Sequence, residues 1–276
     1  MATILIHSNH LNSIQTKALT SHFAEPVQVK NHFRIEVEKR PLMEEISDLS
    51  LNLQLDMNLL PEDFKSDEVK LVISDMDSTL ISIECVDEIA DFINVKAEVS
   101  AITEAAMQGE LDFESSLIKR VNLLSGLDTS ALQHVYDERL TLNPGAETWI
   151  DGLKSKEISF ALVSGGFTFF TDRLKKQLNL DFTRANVLGE EDGKLTGKVV
   201  GHIIGAQAKA DFLHELCQKL DIAPHQVIAV GDGANDLVMM KEAGLSLAYH
   251  AKPAVQAQAL TSLNFRGLDS ILDFLE

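Results

Sequence analysis

The sequence predicts an α/β fold in which a parallel sheet carries helices on both faces. From Lys70 onward, short apolar runs typical of buried strands alternate with helical patterns. This alternation indicates right-handed crossovers, which place the carboxyl ends of the strands along one edge of the sheet. Ligands bind at that edge in open α/β sheets. The predicted strands are residues 71–73, 158–163, 227–230 and 245–248, and the predicted helices are 147–156, 168–178, 206–220 and 236–242.

A helical block interrupts the strand pattern just after the first strand. Asp112, and Asp128 or Thr129, are suitable N-caps for its last two helices, and an Asn-Pro-Gly turn at 143–145 returns the chain to the sheet. Such an insertion would lie over the carboxyl edge as a cap. Its four amphipathic helices are predicted at residues 86–93, 98–107, 113–124 and 130–140, and a hairpin is predicted later, around residues 190–194.

The residues before this region predict a separate small α+β module. It would contain a strand at 3–6, a helix at 11–23, strand-like alternation at 27–37, a shorter helix, further alternation at 51–55, and a polar linker at 61–68. His7 and His10 have no further ligands nearby and are interpreted as incidental. The predicted domains are therefore 1–65 for the module, 66–84 with 141–276 for the core, and 85–140 for the cap.

Composition excludes several classes of function. The chain has 276 residues and a formal net charge of −18, which opposes binding to nucleic acid or to anionic membrane surfaces. No apolar stretch approaches the roughly 20 residues of a membrane-spanning helix, and the N-terminal residues do not match a secretory signal. Two cysteines, Cys85 and Cys217, exclude a disulfide framework and a CxxC metal site, so we expect a cytoplasmic protein.

Carboxylates follow two of the predicted strands. The first strand runs into Asp75 and Asp77 within DMDST, and the strand at 227–230 runs into GDGAND, with Asp232, Asn235 and Asp236. Buried carboxylates require partners or a metal. Because Mg²⁺ prefers oxygen ligands and few protein carboxylates, this edge of the sheet is predicted to hold Mg²⁺.

Two further elements suit an anion. The strand at 158–163 runs into Ser164-Gly165-Gly166 before a helical pattern, where a hydroxyl and free N–H groups at a helix start would bind a phosphate without net charge. Lys209 lies near the start of another predicted helix. Taken alone, the Ser-Gly-Gly segment would be interpreted as an ordinary capped turn and Lys209 as a surface lysine. They are predicted to be part of a site only because the carboxylate loops occur in the same sequence.

Together these motifs resemble the haloacid dehalogenase-like (HAD) phosphohydrolases, over roughly residues 70–276. DMDST, SGG, Lys209 and GDGAND occur in the order of that superfamily's four motifs. The resemblance implies a HAD-like Rossmannoid sheet with an inserted cap. It also implies Asp75 as nucleophile, Asp77 as acid and base, and Mg²⁺ held by Asp75, the Asp77 carbonyl and Asp232. Ser164, Gly165 and Lys209 would bind phosphate, and Asn235 and Asp236 would orient a metal-bound water, the substrate or Lys209.

The segments DMDSTLISIE, AAMQGELDFESSLIKRVNLLSGL and ALVSGGFTFF resemble the phosphoserine phosphatase family more closely. That resemblance implies Mg²⁺-dependent hydrolysis of O-phospho-L-serine in the last step of serine biosynthesis. Glu84 matches the family's contact to the substrate ammonium and Arg120 its contact to the carboxylate. Met107 and Phe113 match the apolar shield of the phosphoryl pocket, and Asn235 is a further substrate-binding candidate.

Two alternative functions stay open, together with the nature of the N-terminal module and the oligomeric state. A transferase that moves phosphate from phosphoserine to another alcohol, such as homoserine, would share every motif. A non-catalytic amino-acid sensor is the alternative from another class, although it would not require Asp75, Asp77, Lys209 and Asp232 together. The N-terminal module could be an abbreviated ACT-like domain, and a homodimer is left open.

Overall fold

The computed structural model describes residues 2–93, 95–107 and 111–276, with the backbone alone at 104, 106 and 107. The prediction for the Met107 side chain therefore lies outside the described residues. At the N-terminus, four antiparallel strands form a sheet in the order β2-β3-β1-β4, with two helices. The elements are β1 Ala2–Ile6, α1 Ser13–His22, β2 Val27–Val29, β3 His32–Val37, α2 Met43–Leu53 and β4 Met57–Leu59.

Two predictions for this module were wrong in detail. The alternation at 27–37 is a hairpin and not one strand, because the chain turns at Lys30, whose φ of 51° lies in the left-handed region. The alternation at 51–55 is the end of α2, which buries Ile46 and Leu49 at helical spacing. That helix ends at Gln54 in the left-handed conformation, and the strand follows at Met57.

The second sheet confirms the predicted α/β fold. Its seven strands have the order β11-β10-β9-β5-β6-β7-β8, and every neighbouring pair is parallel except β7 and β8. The strands are β5 Leu71–Ser74, β6 Ser159–Phe167, β7 Phe182–Glu191, β8 Lys194–Val200, β9 Val227–Gly231, β10 Leu245–Tyr249 and β11 Thr261–Leu263.

Helices cover both faces of this sheet. On β5, Val72 packs in one core cluster with Trp149, whereas Leu71 and Ile73 pack in another with Phe212. This alternation follows from the two-residue period of a strand and gives the sheet two buried faces. The helices are α3 Cys85–Phe92, α4 Lys96–Met107, α5 Phe113–Asn122, α6 Ser130–Glu138, α7 Ala146–Ser155, α8 Thr168–Leu178, α9 Ala206–Leu220, α10 Leu237–Glu242 and α11 Pro253–Gln256.

The four helices from α3 to α6 lie between β5 and β6 in the chain, and two short backbone connections carry the chain into and out of them. Ile81 pairs with Leu142, and the Ser82 N–H donates to the Thr141 carbonyl at 2.9 Å. The Asn143 side chain then donates to the carbonyls of Thr79 and Ile81 at 2.7 and 3.2 Å. Among the described residues, no helix is long and apolar enough to cross a membrane.

Polar contacts attach the N-terminal module to the larger sheet. The Asp56 carboxylate, 1% exposed, accepts from three consecutive backbone N–H groups, those of residues 264–266, at 2.6–3.0 Å. Asn58 makes two bonds to the backbone of Ser262. His7 is fully buried and bonds Asp273 at 2.8 Å, which gives it a structural partner.

Candidate active site

The loop after β5 places Asp75 at the carboxyl edge of the large sheet. Its N–H donates to the Val230 carbonyl of β9 at 2.9 Å, so the end of one strand is fixed to its neighbour. Two residues on, Asp77 accepts from the Cys85 N–H at 2.8 Å and from the Ser164 hydroxyl at 3.0 Å. Ser78 has a left-handed φ of 56°, which turns the chain sharply between these contacts.

Lys209 lies between two carboxylates in the floor of the site. Its ammonium is 2.7 Å from Asp75 and 2.7 Å from Asp236, and the lysine is fully buried. Burial alone would lower the pKa of Lys209, but Asp236 and Asp75 outweigh burial and raise it, so the group stays charged. Lys209 was predicted to belong to the site, although an isolated lysine is usually a surface residue. The structure shows it as a buried cation of the site.

Three carboxylates crowd together at this point. Oxygens of Asp75, Asp232 and Asp236 lie within 4.8 Å of one another, and Thr79 holds Asp232 through a hydrogen bond of 2.9 Å. Burial, followed by the charge of Asp236, raises the pKa of Asp75, and the same two causes raise the pKa of Asp232 to about 6. One lysine does not balance three carboxylates, so the donor set and its charge fit a divalent cation.

The three clustered carboxylates are not the same residues as the predicted metal ligands. Asp236, predicted to orient other groups, lies within the cluster. The Asp77 side chain is engaged by Ser164 and the Cys85 N–H, and its predicted contribution was the backbone carbonyl.

The Ser-Gly-Gly segment was predicted to lie at a helix start, and this position was wrong. It continues β6, which runs to Phe167, and α8 begins only at Thr168. The N–H of Gly166 donates to the Ser164 hydroxyl at 2.7 Å. A Cβ on Gly166 would lie 2.7 Å from the Asp77 carboxylate, and one on Gly165 would lie 2.8 Å from Phe113. Glycine is therefore required for close approach and not for a turn.

A cavity of about 950 Å³ separates this floor from the cap helices. Phe113 and Arg120 of α5 line its cap side, and Arg120 Nε is buried with no hydrogen-bond partner among the described residues. Glu84 also lines it and accepts from Ser78 at 2.7 Å. Burial, followed by the charge of Asp77, raises the pKa of Glu84 to about 7. Asn235, from the loop after β9, also lines the cavity.

Supporting residues were missed from the sequence. Thr79 holds Asp232, Asn143 holds the carbonyls of the first loop, and buried Asn186 bonds Gly165. Asp87 lines the cavity one helical turn beyond Glu84. Thr79 lies inside the DMDST motif, which was a usable signal, whereas the two asparagines carry no local pattern.

Taken together, the site sets a buried carboxylate beside a lysine, a hydroxyl and a cluster suited to a cation, as phosphoryl transfer to an aspartate requires. A family model for haloacid dehalogenase-like hydrolases matches residues 69–244. A phosphoserine phosphatase from Polaromonas sp. is 52% identical over 225 residues, which cover 80% of this chain and 95% of the relative. The chain belongs to the haloacid dehalogenase-like hydrolases and, within them, to the phosphoserine phosphatase family, as the motifs indicated.

Solved structures agree with this assignment. A HAD family hydrolase from Salmonella enterica serovar Typhi superimposes with a TM-score of 0.91 at 32% identity, covering 100% of this chain and 98% of that chain. The N-terminal module is therefore included in the match. A substrate-bound phosphoserine phosphatase superimposes with a TM-score of 0.71 at 41% identity, covering 75% of this chain and 99% of that one.

Proposed function

We propose that this chain hydrolyses O-phospho-L-serine to L-serine and inorganic phosphate through an aspartyl-phosphate on Asp75. The observation that carries the proposal is one cavity with two chemically different walls. Its floor presents Asp75 beside the buried ammonium of Lys209, and its cap side presents Arg120, whose buried Nε has no hydrogen-bond partner in the part of the chain that the structure describes. A phosphate ester that also bears a carboxylate would satisfy both walls.

In the first step, an Asp75 oxygen attacks phosphorus and the bond from phosphorus to the serine oxygen breaks. Asp77 donates its proton to the departing oxygen. In the second step, water attacks the phosphorus of the aspartyl-phosphate, Asp77 takes the water proton, and Asp75 is released with free phosphate. Ser164, the Gly165 N–H and Lys209 bind the phosphoryl oxygens, while Asp236 holds Lys209 at 2.7 Å.

Mg²⁺ is the proposed cofactor, with Asp75, Asp232 and the Asp77 carbonyl as ligands and Asp236 close enough to join them. The support is the cluster of three carboxylates with an unbalanced negative charge. When bound, the ion would neutralise charge between nucleophile and phosphate and stabilise the phosphoryl oxygens. Chelation should therefore abolish turnover, and added Mg²⁺ should restore it.

The cap side supplies specificity in this proposal. Glu84 in its ionised form pairs with the substrate ammonium, and Arg120 binds the carboxylate in a bidentate manner. Phe113 touches the Gly165 segment and excludes water from the phosphoryl group. We propose the same shielding role for Met107 and a substrate contact for Asn235.

Phosphate release from phosphoserine, phosphothreonine and sugar phosphates tests the proposal, with Asp75→Asn as the inactive variant. Its loss should exceed ~10³-fold. The exposed Asp172 of α8 offers a matched control, because Asp172→Asn makes the same chemical change away from the cavity. Substantial turnover by Asp75→Asn would refute the nucleophile, and wild-type preference for another ester would refute the substrate. Serine formed without equivalent phosphate when homoserine is added would identify a transferase.

We further propose a cytoplasmic enzyme. Cys85 and Cys217 are both free and buried, which suits a reducing compartment. The small molecule phosphoserine is the proposed partner, and the net charge of −18 opposes nucleic acid. A homodimer stays a prediction that light scattering of the purified protein would test.

A further inference from the structure

Asn186 of β7 joins two backbone segments that flank the proposed phosphate site. It is 1% exposed. Its side-chain amide donates to the Gly165 carbonyl at 2.8 Å, and its side-chain oxygen accepts from the Ile204 N–H at 2.8 Å. Because a carbonyl can only accept and an N–H can only donate, the two partners settle which end of the amide faces which segment.

The bond to Gly165 replaces one that the sheet does not make. Pairing between β6 and β7 is regular up to Val163, then shifts register and resumes at Phe167, which lies opposite Asn186. The Gly165 carbonyl therefore lies outside the regular ladder, and a buried carbonyl without a donor is costly. The Asn186 side chain supplies that donor from the neighbouring strand.

The peptide unit between Gly165 and Gly166 is consequently held at both ends. Its carbonyl accepts from Asn186, and its N–H donates to the Ser164 hydroxyl oxygen at 2.7 Å. Because that oxygen accepts from Gly166, the hydroxyl proton is directed away from Gly166 and toward the Asp77 carboxylate at 3.0 Å. The orientation of the Ser164 hydroxyl thus depends on a peptide whose own orientation depends on Asn186.

We propose that Asn186 is a positioning residue for catalysis, which fixes the place of the Ser164 hydroxyl through the Gly165–Gly166 peptide, so that the hydroxyl proton can turn from Asp77 to a phosphoryl oxygen when substrate binds. This rests on the proposed function, in which Ser164 binds a phosphoryl oxygen. Without the Asn186 donor, the peptide is free to rotate, the Gly166 N–H leaves Ser164, and the hydroxyl loses its fixed direction. Preorganised donors of this kind contribute to catalysis because they require no reorganisation during the reaction.

A purely structural role predicts something different, and the chain contains a matched control for it. Asn58 is likewise buried, at 2% exposure, and likewise bonds two backbone groups, the carbonyl and N–H of Ser262 at 2.9 and 2.8 Å. It lies where the N-terminal module meets β11 and not at the cavity. Removal of either amide should cost stability, but only the loss of Asn186 should alter catalysis.

The experiment is a double-mutant cycle on kcat/KM for phosphoserine with Asn186→Ala, Ser164→Ala and the double variant. We expect Asn186→Ala to lower kcat/KM by ~10- to 100-fold, as a displaced catalytic contact does. In the Ser164→Ala background, the same change should cost less than about threefold. Asn58→Ala should lower the melting temperature while kcat/KM stays within about threefold of wild type. The inhibition constant of inorganic phosphate should rise with Asn186→Ala.

Equal losses from Asn186→Ala in both backgrounds would overturn the proposal, as would an unchanged kcat/KM. Asn186→Asp gives a second route, because it keeps an acceptor for Ile204 but removes the donor to Gly165 and adds no cavity. Should either variant fail to fold, the other carries the same comparison with Ser164→Ala. Failure of the proposed function is a separate result, since wild-type protein would then release no phosphate from phosphoserine, and phosphate binding would still report on Asn186.

Discussion

Lys209→Met should destabilise this protein strongly as well as inactivate it. The lysine is fully buried and bonds Asp75 and Asp236 at 2.7 Å each. Methionine preserves much of the side-chain volume but removes the charge. Two buried carboxylates would then remain without the cation that neutralises them, next to Asp232.

The magnitude follows from that geometry. Removal of one partner from a buried ion pair costs about 3–5 kcal/mol, because the charge left behind stays desolvated. For a chain of this size, each kcal/mol lowers the melting temperature by about 2–4 °C, so we expect a loss on the order of 10 °C. Catalysis should fall by more than ~10²-fold, because the phosphoryl group also loses a charged donor.

The pH dependence has a definite sign. Burial, followed by the charge of Asp236, raises the pKa of Asp75 above its value in the unfolded chain. A raised carboxyl pKa means that the folded state binds protons more tightly, so stability falls as the pH rises through the folded-state pKa. The charge of Lys209 lowers the pKa of Asp75, so removal of the lysine should raise that pKa further. The deficit of the variant relative to wild type should therefore be larger at pH 8 than at pH 5.

Thermal and urea unfolding in the presence of a chelator measures the effect, since a bound cation would partly replace the lysine charge. Added Mg²⁺ should recover part of the lost stability. The triple variant Lys209→Met, Asp75→Asn and Asp236→Asn is the control, because it removes the stranded charges and should be more stable than Lys209→Met alone. A loss below about 1 kcal/mol for Lys209→Met, independent of pH, would refute the reasoning.

Three further changes test the walls of the cavity and the attachment of the N-terminal module. Because the pKa of Glu84 is raised to about 7, KM for phosphoserine should rise as the pH falls below that value. The Glu84→Gln variant should have a high KM that does not change with pH. The KM for an aryl phosphate, which has no ammonium, should also be independent of pH in this range. Arg120→Ala should raise KM for phosphoserine by ~10- to 100-fold, the worth of a charged hydrogen bond, and equal losses on the aryl phosphate would refute the carboxylate contact. Asp56→Ala leaves three N–H groups without their acceptor, so urea unfolding should show a loss of about 1–3 kcal/mol while kcat is retained; unchanged stability would contradict this attachment.

Helices and strands were predictable where one face is buried, because apolar residues then recur along the sequence with the period of the helix or strand. The predicted helix at 206–220 is α9 at Ala206–Leu220, and the predicted strand at 71–73 is β5 with one further residue. The edge of the sheet was predictable for the same reason, since strand ends follow from strand identity. This placed Asp75 and Asp232 together although their positions in the chain are far apart.

Errors arose where local composition and tertiary context disagree. Glycine pairs usually mark turns, but Gly165 and Gly166 lie in β6, and they are glycine because Phe113 and Asp77 approach too closely for a side chain. Alternation at 51–55 suits a strand, but the apolar residues before it form the buried face of a helix.

The supporting hydrogen bonds could not have been found from the sequence. Asn186 reaches Gly165 from another strand, and Thr79 reaches Asp232 across 153 positions of the chain. Thr79 does lie inside the DMDST motif, but the partner of neither side chain follows from a periodic or local pattern, because it depends on which strands are neighbours. The residue types, asparagine and threonine, show only that these side chains can form hydrogen bonds, and not with which partner.

The central position of β5 also governs how the protein is made on the ribosome. Its two neighbours in the sheet start at Ser159 and Val227, so the strand that leads into Asp75 is synthesised long before either partner. Lys209 is 134 positions after Asp75, which corresponds to roughly 7–27 s of synthesis at ~5–20 residues per second. During that interval the apolar strand β5 is followed by the Asp75 carboxylate, while its partner Lys209 has not yet been synthesised. Nascent chains halted before Val227 should therefore depend on chaperones, and release of the later residues should end that dependence.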